Sequence, residues 1–212
     1  MEHFKTIPWC AELISAPELR EFTPTCRQPH SDAPVASRDQ LFRKTLNHGD
    51  AIPNCIGLYQ DPTKLSAAAT TEPKPPQDGP TLYIKAATLL FDLKPGVKGY
   101  NGSAHGGLIS SMIDEAMGSL ISINYLTQAT LEAKGGRLPP GTLDLNSTRV
   151  FTAGMNVRFQ KPVPVPGAVA VTASFVRIEG RKIAFDVRVT GERGVEFARC
   201  DGLWLSLPLE KM

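Results

Sequence analysis

The chain has 212 residues, 42% of them hydrophobic, with 23 basic and 21 acidic side chains and a formal charge of +2. That balance excludes a nucleic-acid or membrane-surface binder working by bulk attraction, and the length admits one well-cored domain with an appendage or two small domains. The longest apolar stretch, residues 108–126, is interrupted by Asp114, Glu115 and several serines and falls short of a membrane span.

Eleven prolines in the first 80 residues predict an irregular N-terminal extension without long regular elements. One short helix is predicted over residues 38–47, with Ser37 as its N-cap, Leu41, Phe42, Thr45 and Leu46 on one face, and Gly49 as its stop. Residues 66–79 read as a mobile linker. The chain thus divides into an extension, 1–80, and a main domain, 81–212. Cys10, Cys26, Cys55 and Cys200 show no CxxC spacing and read as small buried hydrophobes. The start, MEHFKTIPWC, has no basic-then-apolar leader pattern, so the expectation is a reduced, cytoplasmic protein.

Residues 81–96 read as a strand, alternating at first and then continuously apolar. A turn-rich loop, VKGYNGSA, leads to a helix from about His105 to Leu126. After a long glycine-rich connection through KGGRLPPG come four strands, FTAGMNVRFQKPV, AVAVTASFVRIEG, KIAFDVRVTGERG and VEFARCDGLWLSLP, separated by turn signals. One helix with consecutive strands predicts an α+β arrangement, an antiparallel sheet with the helix on one face.

At roughly 100° per residue, Ile109, Met112, Ile113, Ala116, Leu120 and Ile123 form one helical stripe, the face toward the sheet. Nearly opposite lie Gly107, Ser111, Asp114, Gly118, Ile121 and Tyr125, a face of small residues around one carboxylate. Small residues in a row let another backbone or a ligand approach closely. The sequence has no second long helix, so the economical partner is the same helix of another subunit, antiparallel across a two-fold axis. His105 and Asp114, nine residues or about 13.5 Å apart along the helix, point away from each other and cannot converge within one chain.

A helix start offers unpaired N–H groups and positive dipole charge, and glycines there admit an oxygen. Such a site stabilises an oxyanion, and a carboxylate facing it serves as general base or nucleophile. These parts fit acyl transfer to water, best from a thioester with its good leaving group. The chain has no GxSxG elbow, HExxH or CxxC pattern, and no metal or cofactor is expected.

The block NGSAHGGLISSMIDEA, followed by TAGMNVRFQKPVPVPG and two strands joined at GRK, resembles the hot-dog-fold acyl thioesterase superfamily. The similarity spans residues 81–208 and is to the branch containing the phenylacetate-pathway thioesterase and its animal and fungal relatives. The resemblance implies a hot-dog fold of about five to six strands around one long central helix. It also implies hydrolysis of an acyl-CoA, or of an acyl or polyketidyl carrier-protein thioester, in a homodimer or dimer of dimers with the active site at the subunit interface.

By the same resemblance Gly106 would supply the oxyanion N–H and His105 would shape the turn. Asp114 of the other subunit would be base or nucleophile, and Thr152 would hold the water or the carboxylate. Asn101 loosely matches a loop asparagine that binds the thioester carbonyl. Gly107 and Ser111 are candidate lining residues of the substrate site, and Arg181 and Lys182, at a strand turn, read either as contacts to the phosphates of coenzyme A or a phosphopantetheine or as a solvated turn. Glu115, about 110° from the core stripe, reads as a salt-bridge or solvent-facing residue. His3, His30 and His48 read as surface residues. Two rival readings stay open: a hot-dog hydratase or dehydratase, and a non-catalytic acyl binder.

Overall fold

The computed structural model describes residues 2–28, 39–64 and 79–209. Two short helices, α1 (Glu2–Lys5) and α2 (Pro8–Ile14), precede strands β1 (Leu19–Phe22) and β2 (Cys55–Gln60). Strand β3 (Ala86–Leu93) follows, then the small hairpin β4 (Lys98–Tyr100) and β5 (Ser103–Ala104), and the long helix α3 (Gly106–Ala133). Four strands complete the chain: β6 (Thr148–Phe159), β7 (Gly167–Glu179), β8 (Lys182–Thr190) and β9 (Glu196–Pro208). The main sheet has seven strands in the order β1-β2-β3-β7-β8-β9-β6, every neighbouring pair antiparallel.

The extension is therefore more regular than its prolines suggest. Proline forbids a long ladder, but CIGLYQ fits between Pro53 and Pro62 and pairs with β3, Cys55 opposite Phe91 and Tyr59 opposite Ala87. β1 then pairs with β2, and the Phe22 ring lies where a side chain on Gly57 would stand. These two strands raise the count above the five to six expected. Helices α1 and α2 cover the outer face, burying Phe4 and Cys10 against Ile56, Leu58, Leu90 and Ala170. His3, read as a surface residue, pairs instead with buried Asp92 at 3.1 Å, where Lys94 at 2.9 Å and Asn54 at 2.9 Å also converge. His48 is exposed, as expected. Ser37, His30 and the 66–78 segment lie outside the described residues. The short helix expected over 38–47 appears as a single π-helical turn, Leu41–Thr45, with Phe42 buried and Leu41 and Thr45 exposed.

The stripe predicted for α3 is buried throughout, Ile109, Met112, Ile113, Ala116, Leu120 and Ile123 joining Leu89, Phe91, Val171, Phe185 and Val187 in one core. Each such side chain contributes about 1.5–3 kcal/mol on burial. The helix runs seven residues past Leu126 because two amides pay their way into the core. Asn124, fully buried, accepts from the Ile84 N–H at 2.8 Å and donates to the Ile84 and Leu120 carbonyls at 3.0 and 2.9 Å. Gln128 donates to the Leu143 carbonyl at 2.6 Å and accepts from the Leu145 N–H at 2.9 Å, tying down the end of the glycine-rich connection. Asn124→Ala strands the Ile84 backbone groups without water; we expect a loss of about 2–4 kcal/mol, seen as a fall of about 5–10 °C in Tm.

All four cysteines are buried and unpaired. No helix among the described residues is long and apolar enough to cross a membrane. The architecture is α+β, a hot-dog fold in which the sheet wraps one long helix.

Candidate active site

The start of α3 is built by its N-cap. His105 is extended (φ −64°, ψ 134°), and its Nδ1 accepts from the Gly107 N–H at 3.0 Å. One of the orphan donors of a helix start is thereby satisfied. The Gly106 N–H makes no hydrogen bond among the described residues. A Cβ on Gly106 would meet the Phe159 ring at 3.5 Å, so an apolar ring stands beside this residue. Gly99 lies directly against His105, holding the preceding β4–β5 turn close. Asn101 sits in that turn at φ 25°, exposed, at the Gly106 end of the helix.

Asp114 is eight residues further on, about 12 Å along the axis. It is half-buried, and the Thr152 hydroxyl donates to its Oδ1 at 2.6 Å. A bulge in β6 makes this contact possible: Thr152 lies opposite Trp204 and Gly154 opposite Leu203, leaving Ala153 unpaired. The extra residue puts Thr152 and Met155, rather than Thr152 and Gly154, on the helix-facing side. Bulges commonly re-aim a side chain in this way at functional positions. A cavity of about 240 Å³ opens here, lined by Asp114, Glu115, Ser110, Ser111 and Met155 and by Asp39, Leu41 and Phe42 from the extension.

Glu115 differs from its expected role. It is half-buried and forms no ion pair among the described residues; burial, then the nearby Cys26 and Asp39, push its carboxyl up to about 10. It is protonated at neutral pH, and its contacts come from residues 76 or more positions earlier, invisible to a helical wheel. The same three groups, the Cys26 Sγ and one oxygen each of Asp39 and Glu115, lie within 4.8 Å of one another. Their charge is met by the proton on Glu115 and by Arg43 and Arg27 beside Asp39. A carboxyl whose folded pKa is raised stabilises fully below its ordinary value of 4.5 and progressively less as pH climbs toward 10. The slope is at most about 1.4 kcal/mol per pH unit. Glu115→Gln, which keeps the neutral shape, should melt like the parent at pH 5 and above it at pH 9.

Arg181 and Lys182 occupy the β7–β8 hairpin. Ile183, Trp204 and Thr152 lie in register across β8, β9 and β6, and Ile183 is fully buried under the helix. By strand alternation Lys182 stands on the opposite face of the sheet from Thr152. The chain thus brings Asp114, Thr152 and Ser111 together, sets His105, Gly106, Gly107 and Asn101 some 12 Å away along the helix, and keeps Lys182 off that face. Met155 is not singled out in the sequence as a lining residue, whereas Asp39, Leu41 and Phe42 belong to the 38–47 segment, which reads there as packing or as a lid over an acyl site.

A family model described as the thioesterase superfamily matches residues 101–198. Among curated proteins, verlamelin biosynthesis protein B of a Lecanicillium species is 28% identical over 177 residues, 80% of this chain and 73% of that protein. Acyl-coenzyme A thioesterase THEM4 of Bos taurus is 30% identical over 129 residues, 60% of this chain and 44% of that protein. The chain therefore spans less than half the length of that relative. Among solved structures, S. sahachiroi AziG is similar with a TM-score of 0.47 at 16% identity, over 59% of this chain and 86% of that one. The thioesterase HI1161 of Haemophilus influenzae gives 0.46 at 12% identity, over 60% and 75%. The stretch matched by the thioesterase-superfamily model, residues 101–198, holds the sheet-wrapped helix that opens on HGG and carries Asp114 against Thr152.

Proposed function

We propose that the protein hydrolyses an acyl thioester, borne by coenzyme A or by a carrier protein, to the free acid and thiol. The observation that carries this reading is the 2.6 Å bond from Thr152 to Asp114 at the mouth of a cavity. Thr152 fixes one carboxylate oxygen and leaves the other to take a proton from water. The water attacks the thioester carbon, whose oxygen takes the developing negative charge against the Gly106 N–H of a second subunit. Collapse expels the thiolate, and the proton held by Asp114 returns to it, so that thioester and water become acid and thiol.

The second subunit is argued from the edge of the sheet. β6 is an edge strand of 12 residues, and it exposes Phe151, Met155 and Phe159. A long apolar edge of this kind invites a further strand. Antiparallel pairing of β6 with its own copy would lay the two α3 helices side by side, one start against the middle of the other. The name of the bovine relative supports a coenzyme A thioester, and the biosynthetic name of the other keeps carrier-borne acyl groups among the candidates.

Hydration of an enoyl group is served less well, because the His105 Nδ1 is used as a cap acceptor. The test is release of free thiol across short, long, aromatic and carrier-bound thioesters. Release from at least one is expected; none from any, with loss of the double bond in an enoyl thioester, would replace this reading by the hydratase.

A further inference from the structure

Beyond the Asp114 cavity, along the same side of α3, lies a second one of about 610 Å³. We propose that it takes the acyl chain of a long-chain thioester, and that the N-terminal extension, which supplies part of its wall, sets how long that chain is. This rests on the thioesterase reading above.

Three features point to it. The two cavities are neighbours: Asp39 lines both, and the lining of α3 passes from residues 110–115 in the first to residues 121–126 in the second. On β6, Val150 follows Thr152 at the alternate position, so helix and strand together form a trough leading away from the reacting carbon. From Asp114 to Tyr125 it runs about 16 Å, long enough for a fatty chain and far too long for an acetyl group.

The lining then selects the ligand. Ile121, Tyr125, Leu126, Leu145 and Val150 contribute apolar side chains to the lining, and Tyr125 and Leu126 are 47% and 41% exposed. Of the polar side chains along the wall, Arg43, Asn146 and Thr148 are already engaged. Arg43 spends both terminal nitrogens on the backbone carbonyls of Gln28, at 2.7 Å, and Thr25. Asn146 bonds Glu132 at 2.8 Å and Thr148 the Asp144 carbonyl at 2.7 Å. Methylene groups are what the free surface suits, and the volume falls within the range of about 300–1,000 Å³ usual for small-ligand sites.

Saturated acyl-CoAs from acetyl to palmitoyl provide the measurement. Each methylene that enters the trough should raise kcat/KM by up to about fourfold until the trough is filled. Ser122→Phe, on the wall and outside the catalytic group, should cut kcat/KM for palmitoyl-CoA at least tenfold and leave acetyl-CoA unchanged. Tyr125→Ala, at an exposed position, should move the optimum to longer chains and checks the result should the first variant fold poorly. A parallel binding series on the Asp114→Asn protein reads the trough without turnover. If binding tightens with chain length and weakens in the Ser122→Phe background while the parent hydrolyses nothing, the trough stands and the thioesterase reading falls. If turnover occurs but neither it nor binding responds to chain length, the trough is not an acyl site.

Discussion

Asp114→Asn should lower thiol release by about 10²–10⁴-fold, the range of a lost general base, with Tm unchanged. Asparagine keeps an Oδ1 that accepts the Thr152 hydroxyl, so the local packing survives while the proton acceptor is gone. Undiminished hydrolysis would end the proposed mechanism. Gly106→Pro is its counterpart at the other half of the site. Residue 106 is the first helical position, where proline is tolerated, and His105 before it is already extended, as a residue preceding proline must be. Only the N–H is lost. If the site combines Gly106 of one subunit with Asp114 of another, two inactive proteins refolded together regain activity. Random pairing makes half the dimers hybrid with one intact site each, or about a quarter of the parent rate. No recovery on mixing, with each variant inactive alone, would place both groups in one chain.

Removal of residues 1–80 should abolish stable folding, although the family match begins only at residue 101. The deletion takes Phe4, Phe42, Ile52, Ile56 and Leu58 out of the two buried clusters. At about 1.5–3 kcal/mol for each side chain, the loss rivals the whole net stability of a typical domain, about 5–15 kcal/mol. It also bares β3, buried along nearly all its length, as a new apolar edge. Expression of residues 81–212 should give aggregated protein; a sharp cooperative melt would show instead that the main domain is self-sufficient.

Legibility in the sequence followed the range of the interactions. The stripe on α3 and the strands after residue 148 rest on periodicities that a few neighbours display, and both were found where expected. The small-residue face singled out Asp114 for the same local reason. β2 escaped because it is buried on both faces, so CIGLYQ shows no alternation. The end of α3 escaped because Asn124 and Gln128 look like surface residues until their backbone partners are known. Glu115 escaped because burial by a distant segment, not its angle on the wheel, decides its charge. The pairing of Thr152 with Met155 depends on one unpaired alanine, and a strict two-residue period assigns Gly154 in its place.

The placement of α1 and α2 bears on how the chain reaches this state during synthesis. Their apolar side chains emerge well before their partners, since Leu90 and Ala170, on which Phe4 and Cys10 close, lie roughly 80 and 160 residues downstream. At about 5–20 residues per second, the last of these contacts waits on the order of 10–30 s. The β1–β2 strand pair is too small to hold itself meanwhile. A chain whose ends of contact lie so far apart folds late and slowly, and the segment left waiting for its partners is the one most in need of a chaperone.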